Sequence, residues 1–194
     1  MRYSDTHKEE TRKSIVKAAA IAVRAKGPDG VGVAEIMADA GLTHGGFYAH
    51  FPSKEALVAA AVDEAFGQSA RRFAKMTHGM APAEALSAFV DSYVSPEHRA
   101  HPGRGCPLAT LSSDLPRQGM QVREAYERGV RGLIGRIAGW LPEDHADRQG
   151  LAASLAAEMA GVVALSRAIA DDQEAERLLA DARTRIKNRM GIVQ

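Results

Sequence analysis

Between Gly41 and Lys54 the chain reads Gly41-Leu42-Thr43-His44-Gly45-Gly46-Phe47-Tyr48-Ala49-His50-Phe51-Pro52-Ser53-Lys54. Thr43, His44, Tyr48 and His50 carry short or hydrogen-bonding side chains, and Lys54 adds a cation. Gly45 and Gly46 fall in one turn, and each costs a helix roughly 1 kcal/mol. Packing does not obviously require them. Close approach to a phosphate backbone does, because nothing then projects between the main chain and the phosphate oxygens. Tyr48 and His50 can donate hydrogen bonds to such oxygens, and Lys54 can neutralise one. His44, whose neighbours are too small to reach far, is the candidate for reading a base edge. The chemistry on offer is nucleic-acid contact.

A second group surrounds the only cysteine, in Gly103-Arg104-Gly105-Cys106-Pro107-Leu108. At the start of a short helix, with Arg104 nearby, the thiol is expected to have a lowered pKa and to favour thiolate. Cys106 is therefore a redox-sensing candidate, working through an adduct, a sulfenic acid or an intersubunit disulfide. Alternatively it is a nucleophile on a helical scaffold, with a base such as His101, although no third, orienting group is evident. His98, His101 and Cys106 together could bind a transition metal. Loop histidines are more often solvated, and no metal or other cofactor is assigned. Phosphate-loop, dinucleotide-loop, zinc-protease and serine-elbow motifs are all missing from the sequence. No catalytic residue is assigned, and the expectation is a protein that is not an enzyme.

Helical spacing runs nearly throughout, and alanine and leucine are abundant, so the fold class expected is all-α with about nine helices. The first covers about Thr6 to Lys26, capped by Ser4 or Asp5, with Ile15, Ala19, Ala22 and Val23 as its apolar stripe. Short helices follow at Val33–Ala40 and Thr43–His50, separated by a glycine turn at Gly41. Pro52 stops the third helix and Ser53 caps the fourth, Lys54 to Met76. Two short helices joined by such a turn form a helix-turn-helix. Later helices are expected at Pro82–Tyr93, Pro107–Asp114, Gln118–Trp140, Asp147–Ala170 and Asp172–Met190, with Ser95–Gly105 as a loop. The division expected is 1–53 for a three-helix DNA-binding domain and 54–194 for a larger helical body that binds ligand and dimerises. Apolar candidates for lining a ligand cavity are Phe66, Phe89, Tyr93, Leu108, Leu111, Met120, Tyr126 and Met159, with Cys106 beside them.

The 194 residues carry a net charge of +1, yet residues 1–27 hold seven basic against three acidic side chains. A basic leading segment on a nearly neutral body suits phosphate contact. No uncharged apolar run reaches about 18 residues, so no membrane span is expected. The polar N-terminus is unlike a signal peptide, and the lone cysteine suits a reducing compartment. A cytoplasmic location follows as an expectation.

From Ile15 to Leu57 the sequence resembles the DNA-binding region of the TetR (tetracycline-repressor-like) transcriptional regulators. The resemblance is carried by Gly41-Leu42-Thr43, Gly45, Phe47-Tyr48 and Phe51-Pro52-Ser53-Lys54-Glu55-Ala56-Leu57. It implies a homodimer on palindromic double-stranded operator DNA, acting as a repressor released by a small-molecule effector in the second domain. It places Thr43, Gly45, Gly46, Tyr48, His50 and Lys54 at DNA-contacting positions. One departure is Gly32, where the family has a threonine or serine capping the second helix. Gly105-Cys106-Pro107-Leu108 is similar to a stretch in a branch of the family whose members include cysteine sensors. With few fixed charges among the lining candidates, an apolar or electrophilic effector is expected. Leu151, Leu155, Met159, Val162 and Val163 of the eighth helix, and Leu178, Leu179, Ile186 and Met190 of the ninth, suggest a four-helix dimer interface. A ligand-binding module without DNA binding, or a Cys106-dependent enzyme, are the alternatives.

Overall fold

The computed structural model describes residues 2–192, and the side chains of residues 6–192. It contains α1 (Arg2–Lys26), α2 (Val33–Asp39), α3 (Lys54–Met76), α4 (Pro82–Tyr93), α5 (Pro96–Ala100), α6 (Pro107–Leu111), α7 (Met120–Trp140), α8 (Arg148–Ala168) and α9 (Asp172–Arg189). Three 3-10 segments, His44–Ala49, Pro102–Arg104 and Leu115–Arg117, complete it. No strand occurs among the described residues.

The all-α expectation holds, but the helices do not match one for one. The third expected helix is the 3-10 segment His44–Ala49. The expected loop Ser95–Gly105 contains α5 and a 3-10 turn. Its prolines start these elements rather than break them. Pro96 is the first residue of α5, where its missing N–H costs nothing, and Ser95 caps the helix by accepting from His98 N at 3.1 Å. The backbone of α1 already spans Ser4 and Asp5, so neither stands at a cap position.

Each helix starts and stops for a local reason. Gly27, at φ 76°, ends α1 and donates to Val23 O at 2.9 Å. Ser53 caps α3 by accepting from Ala56 N at 3.1 Å, and Asp171 caps α9 by accepting from Gln173 N and Glu174 N at 2.8 and 3.1 Å.

One apolar core runs from α1 to α9. The stripe Ile15, Ala19, Ala22 and Val23 is buried, as are Leu57, Ala61, Ala65 and Phe66 of α3. Helix α3 packs against both α1 and α7, and α7–α8–α9 pack in succession. In the body, Phe89 stands with its ring centroid 4.7 Å from Phe73, 5.5 Å from Tyr93 and 5.3 Å from Trp140. Burying each such ring contributes roughly 1.5–3 kcal/mol.

Helix α8 is, by length and composition, apolar enough to cross a bilayer, since Glu158 is the only charge between Gly150 and Ser166. Leu155, Met159 and Val163, and Leu179 and Ile186 of α9, expected at a dimer interface, are instead buried in this chain's own core, so the apolar side of these helices is used by the fold.

Candidate nucleic-acid interface and effector cavity

Helix α2 begins at Gly32, an extended residue that offers no side-chain cap, as the sequence suggested. It buries Ile36 and Met37 and ends in a Schellman turn. Gly41, at φ 74°, donates to Ala38 O at 2.9 Å, and Leu42 donates to Met37 O at 2.8 Å. Thr43 is extended and leads into the 3-10 segment; its hydroxyl makes no cap bond.

Two phenylalanines fasten this segment to the protein. Phe47 and Phe51 are 1% and 2% exposed, with stacked rings 5.9 Å apart. Tyr48 meets Phe47 edge-on at 5.1 Å but is itself 73% exposed. Thr43, His44 and Gly45 are exposed; Gly46, His50 and Lys54 are half-buried. All seven residues expected to touch DNA therefore lie on one short stretch, from Thr43 to the first residue of α3, and none is buried. Arg12 of α1 lies over the Phe51 ring, 4.7 Å from its centroid. The sequence reading counted the basic excess of residues 1–27 but did not place Arg12 at this corner.

In the body, a cavity of about 210 Å³ opens between α3 and α7, lined by Phe66, Ser69, Phe73, Cys106, Leu133 and Arg136 among others. Of the expected lining residues, Phe66 and Cys106 belong to it. Phe89, Tyr93, Leu111 and Met159 are core residues at 0% exposure, because helix packing closes over them. Met120 and Tyr126 border a separate open cleft with Leu115 and Pro116, and Leu108 is half-buried against the core. Sequence reasoning missed Ser69, Phe73, Leu133 and Arg136. A signal was present in the glycines of α7. A Cβ at Gly129 would stand 2.1 Å from the Phe66 ring, so Gly129 is what lets that ring lie against α7.

Cys106 is 0% exposed, and burial pushes its thiol pKa up. This corrects the expected lowering: loss of solvation outweighs the nearby Arg72 and Arg24 charges. Arg104 contributes its carbonyl, which accepts from Arg72 Nη1 at 2.6 Å. The histidine beside Cys106 is His98, whose Nε2 accepts the Cys106 backbone N–H at 2.9 Å while Nδ1–H donates to Tyr93 O at 2.7 Å. Both ring nitrogens are used, so His98 has no lone pair left for a metal. Its pKa is pushed down to about 4, chiefly by burial. His101 is turned outward, 3.3 Å from Glu97 Oε1.

Three arginines from three helices hold this loop. Arg24 of α1 donates to Gly105 O at 3.1 Å, to Ala20 O at 2.8 Å and to Gln68 Oε1 at 2.7 Å. Arg72 of α3 holds Arg104 O. Arg167 of α8 donates to His98 O at 2.7 Å and Ala109 O at 3.1 Å.

A small helix-turn-helix presenting an exposed polar segment, carried on a larger helical body with a cavity, defines a DNA-binding transcriptional regulator. Residues 15–61 match the family model "Bacterial regulatory proteins, tetR family". A TetR transcriptional regulator from Chloroflexus aurantiacus J-10-fl has a similar structure, with 28% identity, a TM-score of 0.76, and coverage of 96% of this chain and 97% of that one. The reduced form of Escherichia coli NemR aligns with a TM-score of 0.77 at 20% identity over 92% and 96% of the two chains. A TetR-family regulator from Agrobacterium tumefaciens gives 0.77 at 18% identity over 94% and 98%. No curated protein sequence matches the chain. Residues 15–61 thus carry the DNA-binding part of the tetR family of bacterial regulatory proteins, and the whole chain shares the fold of TetR-family regulators.

Proposed function

We propose that the protein is a cytoplasmic repressor that binds operator DNA as a homodimer and is released by a small apolar or electrophilic effector entering the α3–α7 cavity. Residues 1–53 form the DNA-binding domain and 54–194 the ligand-binding and dimerisation body. Thr43, His44, Gly45, Gly46, Tyr48, His50 and Lys54 make the DNA contacts. The observation that carries the reading is Tyr48, an aromatic residue 73% exposed on a segment that is otherwise pinned by buried Phe47 and Phe51. Dimerisation through α8 and α9 is supported by the outward face of α8, where Ala157, Gly161 and Ala164 surround Leu165, 62% exposed. Two half-sites multiply the specificity of one short reading segment.

Fluorescence anisotropy on DNA upstream of the protein's own gene tests this. Affinity should fall steeply with salt, as expected when phosphates are neutralised. Tyr48→Ala and Lys54→Ala should each weaken binding by about tenfold or more, roughly 1.4 kcal/mol. A folded protein that binds this DNA without any salt dependence, or that sediments as a monomer, overturns the reading.

A second reading, a thiol response, is favoured by one observation: Cys106 lines the cavity. An electrophilic effector would reach the sulfur from inside. An unchanged response to oxidants and electrophiles in Cys106→Ser removes this reading.

A further inference from the structure

The cavity lining contains one charged side chain, Arg136 of α7, and no acid. Arg136 is half-buried and makes no ion pair or hydrogen bond with any described residue. The other arginine near this wall, Arg71, lies close to Gly67 but is already paired with Glu64 at 2.9 Å. On the opposite helix, Ser69 is 4% exposed and its Oγ has no hydrogen-bond partner among the described residues. A serine or threonine inside a helix commonly returns its hydroxyl hydrogen to the preceding turn. Thr77 does so to Phe73 O at 2.9 Å, and Thr184 to Ala180 O at 3.0 Å. Ser69, inside α3, does not. A buried hydroxyl without a partner costs about 1–3 kcal/mol, and a half-buried cation without a counter-ion is also unfavourable.

The remaining walls are apolar: Phe66, Phe73, Leu133 and the neutral thiol of Cys106, with no side chain at Gly129 or Gly132. A cavity of ~150 Å³ lined by apolar side chains accommodates benzene, so the roughly 210 Å³ here holds one ring with a small substituent.

We propose that the effector is a compact aromatic monocarboxylate, its ring between Phe66, Phe73 and Leu133 and its carboxylate shared by Arg136 and the Ser69 hydroxyl. The inference rests on the cavity being the effector site. An anion there satisfies both unpartnered groups at once, and a bidentate guanidinium pair is among the stronger single contacts a site can make.

Titration calorimetry with two probe pairs tests it: benzoate beside benzamide, and 4-methylbenzoate beside 4-methylbenzamide. At least one carboxylate should bind about tenfold more tightly than its neutral amide, a difference of roughly 1.4 kcal/mol. Arg136→Gln should abolish that preference while leaving the amide's affinity within about twofold. Ser69→Ala should weaken the carboxylate alone. Equal affinities within both pairs, an unaffected carboxylate in Arg136→Gln, or no carboxylate binding up to ~10 mM overturns the inference. The two readings fail separately. Release of DNA by a neutral apolar compound, with no carboxylate binding, sinks the anion and leaves the effector cavity standing. Carboxylate binding that leaves DNA affinity unchanged does the reverse.

Discussion

His98 is the residue whose role differs most from its sequence appearance. In the sequence it is one of two histidines in a proline-rich stretch; in the structure it is buried and bridges Tyr93 O to the Cys106 N–H. Nothing local announces this, because the arginines that hold the loop come from α1, α3 and α8. The same burial keeps Cys106 a neutral thiol. A testable consequence concerns pH. His98 titrates at about 4 when folded, against an ordinary value of 6.5. Between those values the unfolded chain binds a proton that the folded chain does not, so stability rises with pH across that window and is lost as pH falls through it. The group is 7% exposed, and the expected contribution between about pH 7 and about pH 5 is roughly 2 kcal/mol. Carboxylates titrate nearby as well, so the measurement is a comparison. Urea unfolding of the natural protein should lose about 2 kcal/mol more over that interval than His98→Asn does. Parallel losses in the two proteins would mean that His98 is not held neutral.

Among the elements, those with short-range causes were readable. Gly41 needs φ 74°, Pro52 cannot extend the preceding segment, and Ser53 caps α3, so the helix-turn-helix and its borders follow from neighbouring residues. The 3-10 winding of His44–Ala49 was not readable. Its bonds run back three residues, from Gly46 N to Thr43 O at 3.2 Å and from His50 N to Phe47 O at 2.9 Å. An α-helix would bury Phe47 and Phe51 on one face just as well. The two glycines now separate folding from DNA contact. Both have ordinary negative φ. A Cβ at Gly45 would meet nothing within 4 Å, and one at Gly46 would meet only Met37 Cε at 3.8 Å. Alanine at either position should therefore leave stability unchanged or raise it by about 0.4–1 kcal/mol. On the proposed DNA contact, the added methyl would stand between the backbone and phosphate, and affinity should fall about tenfold. Urea unfolding and DNA anisotropy on Gly45→Ala and Gly46→Ala measure the two quantities side by side. Full DNA affinity in both variants would mean that the glycines have no part in the contact.

For the molecule as a whole, sequence reading separated a DNA-binding part from a body at residue 53, yet the core runs through α3 without interruption. Periodicity reports which face of each helix is apolar, but not that one helix serves two neighbours. Arg24 makes the connection specific. It lies in α1, is 4% exposed, and joins the helix that supports the reading segment to Gly105 O, 81 positions away and next to Cys106 in the cavity wall. Burial, with Arg72 as a second cause, pushes its pKa down to about 10, so it remains charged at neutral pH. An effector can change DNA affinity only through a difference between two arrangements of the molecule. Arg24 is the polar tie through which displacement of Cys106 would reach α1. Arg24→Met keeps much of the apolar stem but strands the Gly105 carbonyl, at a cost of about 1–3 kcal/mol in stability. Hydrogen exchange at the Arg104 and Gly105 amides, which now donate to His101 O and Pro102 O at 3.0 Å, should quicken in the variant. The ratio of DNA affinities without and with benzoate should fall towards one, although the variant still binds DNA and the probe still enters the cavity. Faster exchange with an unaltered affinity ratio would show that the tie steadies the loop without carrying the signal, and would place the coupling in the apolar contacts between α1 and α3.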